Sequence, residues 1–140
     1  MPSSQEPFDV DPEHNWQGCA TDDQADFERE FYGAILRRNP NYVDVLRRQV
    51  ELLARRGHYD QALPLDERLA HLQPEDCVVR YNYACSLCMT GHIEEAIFQL
   101  RMAIELGYDD FAHLEADSDL DAVREHPGFV KMLMEFGVAD

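Results

Sequence analysis

A six-residue block, Gly57-His58-Tyr59-Asp60-Gln61-Ala62, returns 34 residues later as Gly91-His92-Ile93-Glu94-Glu95-Ala96. Each block opens on a glycine, the residue that best tolerates the left-handed backbone closing a helix. Apolar residues at helical spacing flank both blocks and predict helices over about 43–56, 59–72, 76–90 and 93–106, with Pro74 between the two pairs. Joints of two to four residues leave no room for the crossover that parallel strands need. Antiparallel helix pairs are the economical packing, so the expected fold is all-α. Pro64 falls inside the second stretch and predicts a kink or a delayed start there.

The period and the block resemble the tetratricopeptide repeat. On that resemblance the units cover 43–76 and 77–110. Pro74 matches the family's proline near the repeat end, and Ala62, Ala84, Ala96 and Ala103 match its small positions. Tyr59 and Ile93 take the large position after the turn, and Leu53 and Leu87 the core position before it. Val50, Leu69 and Tyr108 depart from the pattern and imply locally altered spacing.

Upstream, Tyr32, Ile35 and Pro40 stand 34 residues before Asp66, Leu69 and Pro74, so 21–40 resembles a capping half repeat. Thr21 with Gln24 reads as a capping box, Phe27, Phe31 and Ile35 recur every fourth residue, and the helix should end before Pro40. Residues 111–136 resemble the degenerate cap that often follows bacterial tetratricopeptide pairs. They comprise a short helix near 110–116, a turn over 120–125, and a segment whose Phe129, Leu133 and Phe136 share one face. Residues 1–20 read as an acidic, mostly irregular arm before a single helical domain, 21–140. The resemblance implies a short right-handed solenoid of stacked antiparallel hairpins.

Twelve basic against 28 acidic side chains leave a formal charge of -16, which opposes binding to nucleic-acid phosphate or anionic lipid. No apolar run is long enough to insert in a membrane. Residues 1–20 hold no Lys or Arg and no apolar core, which opposes a secretory signal. Of the four cysteines, Cys77, Cys85 and Cys88 crowd one helical stretch, where reduced thiols in a cytoplasmic protein are the simplest reading.

The chain carries no phosphate loop, no His-Glu-x-x-His helix and no nucleophile elbow, so a non-enzymatic role is expected, without cofactor or metal. Asp117-x-Asp119-x-Asp121 has the start of a calcium loop, but Ala122 replaces the turn glycine and Gly128 the bidentate glutamate. Helix capping by Asp117 or Asp119 is the better reading. Cys85, Cys88 and His92 follow i, i+3, i+7 spacing, yet no fourth zinc donor accompanies them.

In the resembled family, the first helices of successive units line a groove for an extended peptide or a partner helix. Matching positions are Asp44, Arg47, Arg48, Glu51 and Arg55 in the first unit. In the second they are Val78, Tyr81, Asn82, Cys85, Cys88 and Met89. Arg47 and Asn82 match two positions with which some relatives clamp a terminal carboxylate, whereas Glu51 replaces a helpful asparagine. Arg37, Arg38, Arg47, Arg48, Arg55 and Arg56 supply half the basic side chains within twenty residues. These features point to an adaptor for a protein or peptide, with acidic groups favoured on the partner. Self-association into a homodimer is the alternative, and a metal-dependent or redox enzyme a more distant one.

Overall fold

In the computed structural model, which describes residues 22–138, every regular element is helical. Helix α1 spans Asp22–Arg38, α2 Val43–Arg55, α3 Tyr59–Leu72, α4 Cys77–Met89 and α5 Ile93–Glu105. A C-terminal group follows: α6 at Phe111–Ala116, a 3-10 helix at Ser118–Val123, and α7 at Pro127–Glu135. The sequence-predicted helices over 43–106 all appear within two residues of their expected bounds. The proposed arm, residues 1–20, and the Thr21 cap lie outside the described residues.

Glycine ends four of these helices in the same way, at Gly57, Gly91, Gly107 and Gly137, and the first two close the repeated blocks. Gly57 has φ of 79° and Gly91 of 88°, where an L side chain is strained. At the first joint His58 N–H donates to Leu53 O at 2.8 Å and Gly57 N–H to Ala54 O at 3.0 Å. At the second, His92 N–H donates to Leu87 O at 2.8 Å and Gly91 N–H to Cys88 O at 3.1 Å. This paired pattern satisfies carbonyls that a helix end otherwise leaves open, and reverses the chain within three residues. Helices so joined and packed on each other run antiparallel, as α2 with α3 and α4 with α5.

Starts are fixed by side chains. Asp76 accepts from the Val78 and Val79 amides at 3.0 and 3.2 Å at the head of α4. Asp110 does so for α6 and His126 for α7, where Pro127 fills the first helical position and gives up no needed hydrogen bond. Pro64 neither delays nor breaks α3, which begins at Tyr59 and runs through to Leu72. It sits exposed near the helix start, so only the Asp60 carbonyl loses its intrahelical donor, on the side open to water.

From α1 to α5 each helix packs on the next, the 3-10 helix packs on α4, and α7 packs on α5. One core joins Leu36, Val45, Leu46, Val50, Leu69, Ala70 and Val79 across α1–α4. The other joins Ala84, Leu87, Ala96, Leu100, Leu114, Leu120 and Met132 across α4, α5 and the C-terminal group, with Tyr83 touching both. Ala62, Ala84, Ala96 and Ala103 are wholly buried, so small side chains stand where neighbouring helices come closest. On α1 the fourfold spacing gives a partly open face: Phe27 and Phe31 stack with centroids 6.1 Å apart and remain exposed. No helix among the described residues is long and apolar enough to cross a membrane.

Candidate functional site

A groove of about 800 Å³ opens between α2, α4 and the C-terminal group. Helix α2 makes one wall with Asp44, Arg47, Arg48, Glu51 and Arg55. Helix α4 runs along the base with Tyr81, Asn82 and Cys85, beside Asp66 of α3, and the far wall carries His113, Asp117 and Asp119. Eight of the eleven residues expected at a partner surface therefore lie on one groove. Val78 and Met89 are exposed outside it, and Cys88 is buried in the core against the backbone of Ala122 and Val123. Register along α4 does not separate them, because Val78, Tyr81, Asn82, Cys85, Cys88 and Met89 all stand three or four positions from another of the set; the 3-10 helix packed on α4 covers Cys88.

The α2 wall is electrostatically occupied. Arg47 Nη2 reaches Asp76 Oδ2 at 2.7 Å. Arg48 pairs with Glu51 at 2.6 Å and with Glu28 of α1 at 3.2 Å, and Arg55 lies 3.6 Å from Glu51. Burial pushes the Asp76 carboxyl up, but Arg47 and the two capped amides outweigh it and hold the group below its ordinary value. Arginines expected to await a partner's carboxylate thus already have carboxylates within the chain.

The far wall is built differently. Asp117 caps the 3-10 helix by accepting from Asp119 N–H at 3.0 Å. Its other oxygen takes the Tyr81 hydroxyl at 2.5 Å, faces the Cys85 thiol at 3.7 Å, and lies 3.3 Å from His113 Nε2. Tyr59 hydroxyl, from the start of α3, donates to both oxygens of Asp119 at 3.1 Å. Burial first, and then the neighbouring Asp117 charge, push the Asp119 carboxyl up. Burial raises the Tyr59 hydroxyl to about 12, with Asp119 adding to the shift. Burial and the same carboxylates push the Cys85 thiol up, so it stays protonated and a poor nucleophile.

Tyr81 is buried rather than offered to a ligand. Its ring stacks on Tyr108 at 4.4 Å and its hydroxyl is held by Asp117. Cys85 Sγ and one oxygen each of Asp117 and Asp119 lie within 4.8 Å of one another. Cys85, Cys88 and His92, which the sequence spaces at i, i+3, i+7 without a fourth donor, do not come together, since Cys88 faces the core and His92 Nδ1 contacts Thr90 Oγ1 at 3.0 Å. Cys77, Cys85 and Cys88 are free thiols, and Cys19 lies outside the described residues.

Asp66 was missed as a groove residue. It is 1% exposed, accepts the Ser86 hydroxyl at 2.5 Å, and burial lifts its carboxyl to about 7. A signal existed in the 34-residue register, where Asp66 and Ser86 align with the buried leucines Leu100 and Leu52. Two polar residues replace two core leucines, and they bond to each other across α3 and α4. Tyr59, His113, Asp117 and Asp119 carried no comparable warning as a set, because only the path of the C-terminal group brings them together.

The arrangement is that of an all-helical protein with a polar, tyrosine-edged groove. No family model matches the chain. Among curated proteins it is similar to a chloroplastic protein of Arabidopsis thaliana: 29% identical over 86 residues, covering 59% of this chain and 26% of that protein. The chain thus spans about a quarter of the length of that relative.

Proposed function

We propose that the chain is a short helical-repeat protein of tetratricopeptide type, a right-handed solenoid that binds a peptide or partner helix in its groove. The observation that carries the reading is the groove itself. One wall and the base come from separate helices, α2 and α4, related by a 34-residue step, and its volume, about 800 Å³, accommodates several side chains of a bound segment. The two matching helix endings at Gly57 and Gly91 support the repeat, as do the buried alanines at matching positions. Binding is non-covalent: preorganised helices lower the ordering cost, and Asn82, exposed on the base, can both donate to and accept from a partner backbone.

The experiment is panning of a displayed library of random short peptides on the full chain, with the Asn82→Trp variant as the counter-target. A bulky indole at this exposed position obstructs the groove without entering the core. Selected peptides should lose binding to Asn82→Trp while its thermal melt stays unchanged. Peptides that bind both proteins equally contradict the reading. Self-association is the second reading, favoured by the exposed Val130 and Met134 on α7 and by Phe27 and Phe31 on α1. A dimer abolished by Met134→Glu, with no groove-dependent peptide, would establish it instead.

A further inference from the structure

The charge a groove presents to a partner is what remains after its own side chains have paired. On α2, Arg47, Arg48 and Arg55 spend their guanidinium groups on Asp76, Glu28 and Glu51. On the far wall Asp117 and Asp119 receive hydroxyls from Tyr81 and Tyr59 and contact one histidine, but among the described residues no lysine or arginine pairs with either carboxylate. Asp66 at the base has the Ser86 hydroxyl and likewise no base. Of the groove's carboxyls, Asp117 and Asp119 therefore have no lysine or arginine partner among the described residues, and Asp66 behind them is enclosed and holds its proton up to about pH 7, in a chain whose formal charge is -16.

We infer that the groove takes a basic segment of its partner, with a lysine or arginine side chain seated between Asp117 and Asp119 beside Tyr59. The inference rests on the groove reading above and reverses the partner charge expected from the arginine cluster in the sequence. A guanidinium or ammonium there makes charge-assisted bonds to carboxylates that the tyrosine hydroxyls already orient. An acidic segment meets Asp117 and Asp119 and must compete with Asp76, Glu28 and Glu51 for the arginines. The negative field of the whole chain also steers a basic partner toward the groove and slows an acidic one.

The same peptide selection, run with a chelator present, tests the charge. Peptides that Asn82→Trp rejects should be rich in Lys and Arg, and added salt should weaken them. Their Kd should rise about tenfold or more in the Asp117→Asn, Asp119→Asn double variant, as removal of a close charge pair predicts. Asp119→Asn keeps an oxygen for the Tyr59 hydroxyl, whereas Asp117→Asn must give up either the Tyr81 hydroxyl or the Asp119 amide, so Asp119→Asn alone, expected to weaken binding several-fold, serves if the double variant is less stable. Groove-seated peptides that are acidic, or indifferent to these substitutions, overturn the inference and leave the groove reading standing. Absence of any groove-seated peptide overturns both.

Discussion

Replacing Asp66 with asparagine removes the ionisation of the most enclosed carboxyl on the groove while keeping its shape and an acceptor for the Ser86 hydroxyl. Burial lifts this carboxyl to about 7 in the folded chain, against roughly 4 in an unfolded one. The folded state therefore holds the proton more tightly. Asp66 contributes its full stability below about pH 4 and loses it as pH rises through about 7. At about 1.4 kcal/mol per pH unit, the loss across that window is on the order of 4 kcal/mol, a large part of a small domain's stability. Asparagine does not titrate, so the difference in unfolding free energy, Asp66→Asn minus wild type, isolates the effect from other groups. Urea melts from pH 4 to pH 8.5 at fixed ionic strength should show this difference rising with pH toward the variant and levelling above about 7. A difference that stays flat over that range would refute the burial argument.

Three further outcomes follow from local geometry. Gly91→Ala forces a Cβ into a φ of 88° and should cost about 1 kcal/mol, read as a lower melting temperature; an unchanged melt would contradict the left-handed ending. Asp76→Ala removes two amide caps on α4 and the partner of Arg47, and should cost about 1–2 kcal/mol at pH 7. Because the Asp76 carboxyl is held below its ordinary value in the folded chain, its contribution is present at neutral pH and fades as pH falls through the acid range, so the penalty should shrink there. Alkylation followed by mass spectrometry should modify the half-buried Cys77 well before Cys85 and Cys88, which burial keeps protonated and enclosed; equal rates would contradict the placement of those two.

Helix positions were legible because local chemistry decides them. The Gly57 and Gly91 blocks, the Asp and proline boundaries and the fourfold apolar spacing each act within a few residues. Groove membership was legible only through register, which places Arg47 opposite Tyr81 and Arg48 opposite Asn82 but does not say which side chains are already taken. Arg48 finds Glu28 twenty residues away and Arg47 finds Asp76 across 29, and neither pairing leaves a periodic trace. The C-terminal group is the larger gap. Residues 109–126 have no repeat partner to fix which helix they cover, and they bury Tyr81 and gather Asp117 and Asp119 on α4. Asp66 was overlooked for another reason: acids at helical positions normally face water, and only comparison with Leu100 in the following unit exposes the exception.

The account depends most on the C-terminal group closing against the helix pairs, since that contact makes the far wall. Tyr59 and Asp119, sixty residues apart, report on it through a hydrogen bond of 3.1 Å. A double-mutant cycle with Tyr59→Phe and Asp119→Ala, read by urea unfolding, measures their coupling directly. A coupling of about 0.5–2 kcal/mol is expected for a hydroxyl bound to a partly buried carboxylate. A value indistinguishable from zero, with both single variants folded, would contradict the closed groove.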